Sequence, residues 1–416
     1  MKSSLLSLPM VIAAWSANLA PPAWSTDWPQ WRGPNHDNKA PTSAQPVTEW
    51  SESQNVRWKT PIPGRGHSTP IFIGNRIYLT TADTQKATQS LLALERQSGK
   101  LLWETVIHRK GLSQAIHREN SHASSTPQWT GQRILVTFEN GGKIHVTAVH
   151  TDGKIDWSRP VADYEPVRPF GFGSTPVLHD GALLIASDSA KKGSLTSIDA
   201  ETGEELWKVP RTGSDNYASP VVAKVAGKEQ LVISGFGKMS SYDPKTGETL
   251  WTAPFSPDLT CNTAVWTEDM VFASGGFPTK ETVGVKADGS GTVVWKNREK
   301  SYEQSLLSHK GLIYAVTDQG VAFCWDAGTG EEYWSERIGR GGVMASPLLV
   351  GDLIFATIKN GTTVILKTGK HFEKVAENRL GQDTYASPVA LDDELFLRVG
   401  RVDQGNRQEM LYCLGK

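Results

Sequence analysis

Short runs of β-branched, aliphatic and aromatic residues recur along the chain at a nearly constant pace. Clear examples are residues 76–80, 133–137, 183–186, 231–234, 313–316 and 353–357. Turn pairs stand directly ahead of several of them: Gly74 with Asn75, Asp180 with Gly181, Lys310 with Gly311, and Gly351 with Asp352. The runs are four or five residues long, punctuated by turn formers, and carry no helical period, so they predict strands joined by tight turns.

Two further patterns bracket these runs. The first opens six units with Ser or Ala, then Ser or Thr, then Pro, and two with Asn262-Thr263-Ala264 and Gln304-Ser305-Leu306. Its middle residues are Thr69, Thr126, Thr175, Ser219, Thr263, Ser305, Ser346 and Ser387. The intervals between them shorten from 57 to 41 residues along the chain. The second pattern ends each unit. Asp199 to Gly203 leads to Trp207, Asp243 to Gly247 leads to Trp251, and Asp326 to Gly330 leads to Trp334. Weaker copies end in Trp103, Trp157 and Trp295, and a degenerate one puts Phe372 in the aromatic place after Gly369. Four strands in about 40–45 residues is the size of a propeller blade. Pro is tolerated on an innermost edge strand, where no partner needs its amide. The Asp side chain can bond to its own turn and Gly supplies a positive φ. The Trp then falls on an outer strand, so Trp58, Trp103, Trp157, Trp207, Trp251, Trp295 and Trp334 are expected to dock one blade on the next.

The two ends of the pattern complement each other. Residues 411–414 form a third strand with no outer strand after it, whereas Asn55 to Lys59, holding Trp58, is an outer strand with no unit before it. Pairing the two would close the ring and hide exposed sheet edges. The predicted fold is therefore all-β: an eight-bladed β-propeller of four-stranded antiparallel blades, closed by the N-terminal strand. Residues 54–416 form the propeller and 26–53 an N-terminal extension. Residues 1–25 read as an export signal, with Lys2, a short apolar core and Ala23-Trp24-Ser25 as a small-x-small cleavage site.

Composition adds limits. The 416 residues carry 43 Lys plus Arg against 44 Asp plus Glu, a balance of −1 that gives no long-range attraction to nucleic acid or anionic lipid. Cys261, Cys324 and Cys413 are scattered and odd in number, so neither a disulfide framework nor a metal knuckle is expected. No apolar run is long enough to span a bilayer. The expected product is a monomer, soluble after cleavage, in the periplasm or secreted.

The run from Ser197 through Asp199 and Gly203 to Trp207 resembles the docking motif of pyrroloquinoline-quinone (PQQ) type propellers. The wider arrangement is similar to the BamB-like, PQQ-like propeller proteins of bacterial envelopes. The segment from Asp27 to Asn35 resembles the opening of secreted members. The resemblance covers nearly all of the chain after the signal, and it implies fold more strongly than function, because this fold hosts enzymes, scaffolds and ligand binders.

In such propellers, the loop entering the innermost strand and the loop between second and third strands share one face, here called upper. Candidate ligand-binding residues there are Arg65, His67, His117, Glu119, Asn120 and His122 from the first two units. Phe172, Asn216, Tyr217, Lys238 and Asn262 follow from the middle units. Arg340, Asp383 and Tyr385 come from the last ones, and Phe170 and Gln304 belong to the same face. The longest loop, residues 108–122, holds His117 and His122, whose spacing of five matches no strong metal motif. A quinoprotein dehydrogenase oxidising alcohols or sugars would need cations for the three PQQ carboxylates, oxygen ligands for Ca²⁺, and a catalytic carboxylate. The family's dehydrogenases also use adjacent cysteines, which this sequence lacks. The expectation is a non-catalytic binding or scaffolding protein with no cofactor and no metal. Its partner would be an envelope protein or glycan, and a BamB-like part in outer-membrane protein assembly is one form of that role. The dehydrogenase, with PQQ and Ca²⁺, is the alternative.

Overall fold

The computed structural model describes residues 27–114 and 116–416, and among them there is no α-helix. The expected export signal over 1–25 lies outside the described residues. Eight antiparallel sheets follow one another along the chain. Seven have four strands in simple order, from inner to outer. Blade 1 is typical, with strands Ile71–Ile73, Arg76–Asp83, Thr88–Glu95 and Leu101–Arg109. Blade 8 is closed as the sequence predicts. Strand Val56–Ile62 pairs antiparallel with Asn406–Leu414, placing Trp58 opposite Cys413 and Lys59 opposite Tyr412.

The core lies between blades. One cluster joins Leu307, Tyr314 and Ala322 of blade 6 to Leu349, Ile354 and Val364 of blade 7. Another joins Val221, Val232 and Trp251 of blade 4 to Val271, Val283 and Val285 of blade 5. The outer-strand tryptophans extend these contacts. Trp157 donates its indole N–H to Glu201 O at 2.7 Å, and a Cβ on Gly203 would lie 2.8 Å from its ring. Trp58, Trp103, Trp207, Trp295 and Trp334 likewise donate to turn carbonyls of the next blade. Trp251 differs. Its indole donates to Gln230 Oε1 at 2.6 Å, and Gln230 Nε2 donates in turn to Ala287 O at 2.8 Å, relaying the link to blade 5.

The repeated Ser or Thr of each opening has a role beyond being small. Each stands two residues ahead of its blade's inner strand, and most give their backbone N–H to the hydroxyl of the next one. The N–H of Thr69 donates to Thr126 Oγ1, that of Thr126 to Thr175 Oγ1, and that of Thr175 to Ser219 Oγ, at 2.9–3.1 Å. The series resumes from Thr263 to Ser305, Ser346 and Ser387 at 2.9–3.0 Å. A hydroxyl girdle of two arcs thus links blades 1 to 4 and blades 5 to 8 along the channel.

The N-terminal extension is built into the ring. Trp28 exchanges main-chain bonds with Phe72 of blade 1, and Lys39 forms a bridge with Leu349 of blade 7. Between them, buried Arg32 donates to Leu306 O at 3.1 Å. Trp31 donates its indole N–H to Thr263 Oγ1 of the girdle at 3.0 Å. This segment crosses the lower end of the channel, bonded to blades 1, 5, 6 and 7.

Candidate functional site

A cavity of about 450 Å³ occupies the upper mouth, above Trp31 and the girdle. Its wall follows the twofold side-chain alternation of extended chain. Counting back two residues from each girdle hydroxyl gives His67, Ser124, Gly173 and Tyr217, then Cys261, Glu303, Met344 and Tyr385, and all eight line the cavity. His117, Glu119 and Asn120 enter from the long loop, Arg168 and Phe170 from the approach to blade 3, and Phe277 from blade 5.

Rings dominate the surface. His67 stacks on Tyr385 with centroids 4.1 Å apart and planes 5° from parallel. Phe170 meets His117 edge-on at 5.4 Å and Tyr217 at 5.9 Å. Arg168 lies over Phe277 at 5.6 Å.

The charged groups are largely spent on one another. Glu119 accepts from Lys359 Nζ at 3.1 Å and from Tyr385 Oη at 2.9 Å. Burial works against its ionisation, but these two bonds hold its carboxyl below the ordinary value. Glu303 has no such support. Burial, reinforced by Asp318, pushes its carboxyl up to about 7. Burial, with Arg65, Arg398 and Arg407 nearby, holds the His67 imidazole well below its ordinary value, so it is neutral at pH 7. Burial likewise raises the Cys261 thiol and the Tyr217 phenol. The Tyr217 hydroxyl and His67 Nε2 are buried without a protein hydrogen-bond partner.

Of the predicted ligand residues, His67, His117, Glu119, Asn120, Phe170, Tyr217 and Tyr385 thus converge, with Arg65 stacked behind Tyr385 at 5.4 Å. The others do not line this cavity. Phe172 packs in the core between blades 2 and 3, edge-on to Tyr164. His122 lines a separate crevice with Phe138 and Glu139. Asn216 bonds to Asp188 and Ser234 O, Asn262 to Ser274 O and Ser301 O, and Gln304 to Val316 O. Asp383 is held by Nε and Nη2 of Arg407. Lys238 and Arg340 are exposed. The sequence reading missed Trp31, Arg168, Cys261, Phe277, Tyr302, Glu303 and Met344. Three of these, Cys261, Glu303 and Met344, carried a signal in their fixed offset from the girdle. Trp31 and Phe277 reach the cavity from segments outside the unit openings.

Among the described residues, His179, Asp180 and Glu229 form a group of metal-ligand type. It sits at the far end of an inner strand from the cavity, with both carboxylates exposed and Lys245 on Asp180 at 3.4 Å.

Among described residues no helix is long and apolar enough to cross a membrane. One family's sequence model, described as outer membrane protein assembly factor BamB, matches residues 24–170, 167–276 and 279–371. The structure of BamB from Moraxella catarrhalis is 13% identical, with a TM-score of 0.60 over 85% of this chain and 98% of that one. Quinohemoprotein alcohol dehydrogenase from Comamonas testosteroni is 12% identical, with a TM-score of 0.65 over 94% of this chain and 81% of that one. At such identities the likeness concerns the fold. Polyvinylalcohol dehydrogenase from a Pseudomonas species is 23% identical over 171 residues, which are 38% of this chain but 25% of that enzyme.

Proposed function

The chain belongs to the PQQ-like propeller family described as outer membrane protein assembly factor BamB, and from that premise we propose that it is a non-catalytic binding protein of the bacterial cell envelope. The upper-mouth cavity is its recognition site. The observation that carries this reading is the charge balance of the lining. PQQ brings three carboxylates, which need several cations with forked or multiple donors. Among the described lining residues Arg168 is the one cation, and Glu119 and Glu303 would face the ligand as carboxyl groups. A hard cation fares no better. Glu119 is held by Lys359 and Tyr385, Asn120 Nδ2 donates to Phe170 O, and Asn262 and Asp383 lie elsewhere with partners of their own. The residues present do not fit PQQ with Ca²⁺.

Binding needs no chemical step from this site. The N-terminal segment and the girdle form the floor, and the blades form the walls, so a ligand meets a pre-formed surface. The part in outer-membrane protein assembly named for BamB would be the macromolecular form of the same role, using the loops of the rim. The dehydrogenase alternative draws on the Pseudomonas relative. Titration with PQQ and Ca²⁺, followed by absorbance and dye-linked oxidation of alcohols and sugars, separates the two. The expected result is neither saturable binding nor turnover. Saturable PQQ binding with dye reduction overturns the non-catalytic reading.

A further inference from the structure

Resting on the binding role above, we propose that the upper-mouth cavity receives one terminal pyranose ring of a neutral glycan. Trp31 and the girdle line the base of the cavity, where the N-terminal segment crosses the channel, and about 450 Å³ is the scale of a small-ligand site. Phe170, Tyr217, Phe277 and Tyr302 furnish apolar ring surface around that floor. A pyranose presents flat C–H faces that lie against such rings and a rim of hydroxyls that must find polar partners.

The polar partners are there. Tyr217 is 8% exposed, lines the cavity, and its hydroxyl has no partner in the protein. His67 Nε2 is also buried without one. An unpaired buried polar group is costly, and a ligand that completes it recovers that cost. Ser219, Ser346 and Ser387 of the girdle line the floor as well. Each accepts a backbone N–H from the neighbouring blade and so retains its own O–H to donate.

Charge excludes the common alternatives. Among the described lining residues Arg168 is the single cation, which argues against a phosphorylated or carboxylated ligand, and Glu119, already neutralised by Lys359, offers little to a cation. A purely apolar ligand would leave the Tyr217 hydroxyl and His67 unanswered. A neutral, hydroxyl-rimmed ring satisfies both groups.

The test is calorimetry and saturation-transfer NMR on the intact chain, with neutral glucosides, galactosides, mannosides and N-acetylglucosaminides. Each is offered as a methyl glycoside and as a short oligosaccharide up to about 10 mM. At least one series should bind saturably, and Tyr217→Phe should weaken it about three- to tenfold with an unchanged unfolding midpoint. Phe170→Leu, which removes a ring without touching a hydrogen bond, should weaken the same ligand. A glucuronide bound as tightly as the matching glucoside overturns the neutral assignment. Binding that both variants leave unchanged overturns the cavity as the site. Failure of every saccharide alongside failure of PQQ rejects the glycan while leaving the binding role intact. PQQ binding with turnover rejects both.

Discussion

Asn216 and Tyr217 are neighbours in the chain and almost equally buried, at 4% and 8% exposure, yet they belong to different parts of the protein. Asn216 turns between blades 3 and 4. Its amide donates to Asp188 at 3.0 Å and to Ser234 O at 2.9 Å, and its oxygen accepts from Thr260 N at 2.9 Å. Tyr217, one step along an extended chain, turns to the cavity and leaves its hydroxyl unpartnered. Burial alone does not separate structural from recognition groups here. The completeness of hydrogen bonding does, because a satisfied polar network fixes one arrangement and an unsatisfied group is a reservoir for a partner.

The contrast is attacked most strongly through the network around Asn216. Arg211 clamps Asp188 with two bonds of 2.7 and 2.8 Å and donates to Tyr242 Oη at 3.0 Å. Both charges are buried, with side chains 3% and 1% exposed. Arg211→Met should lower unfolding stability by about 3–5 kcal/mol, because it strands the Asp188 carboxylate between blades. Urea titration measures this, and a loss below about 1 kcal/mol would show that the network is not structural.

The cavity should respond with the opposite sign. The Glu303 carboxyl is pushed from 4.5 up to about 7 in the folded chain, where burial first, then Asp318 and Glu119, oppose its ionisation and Lys300 favours it. Between those pH values the folded state keeps a proton that the unfolded chain has released, so stability falls as pH rises through the window. Glu303→Gln removes that fall. The variant should match the parent below pH 4.5 and exceed it above pH 7 by about 3 kcal/mol. Unfolding midpoints collected across that range check the slope, and parallel curves would contradict the assignment. A cavity residue that lowers stability at neutral pH is what a site kept for function predicts.

The sequence carried the fold in full outline because propeller blades repeat their constraints. Eight Ser or Thr residues at the opening, Gly before Trp, and an unpaired strand at each end each follow from a local requirement repeated around the ring. The site was readable only in part. Alternation makes every second residue ahead of an opening face the channel, which selects His67, Tyr217 and Tyr385 and would have selected Cys261, Glu303 and Met344. The same rule turns Phe172, Asn216, Asn262 and Gln304 away. Choosing residues by chemical type near the openings mixed the two sets. Trp31 reaches the floor because the 27–39 segment binds blades 1 and 7, a long-range contact with no periodic signature.

The girdle stands between the two behaviours, since its hydroxyls both bond blades and floor the cavity. Ser305 is 1% exposed, and its hydroxyl accepts the Thr263 N–H at 3.0 Å. Ser305→Ala orphans that donor and should cost about 1 kcal/mol. Amide exchange at Thr263 should quicken while distant blades are unaffected. Uniform quickening would mean that the girdle sets global rather than local stability.

The smallest expected effect is the most discriminating. Tyr217→Phe keeps the ring that packs against Phe170 at 5.9 Å and deletes a hydroxyl that bonds to nothing in the protein. Removing a satisfied buried hydroxyl costs about 1 kcal/mol, because its partner is left unpaired. Removing an unsatisfied one relieves a desolvated polar atom, so stability should stay within about 0.5 kcal/mol of the parent or rise slightly. A clear loss in urea titration would mean that the hydroxyl has a partner inside the folded chain, placing Tyr217 in the same class as Asn216 and removing the strongest reason to look for a ligand at the upper mouth.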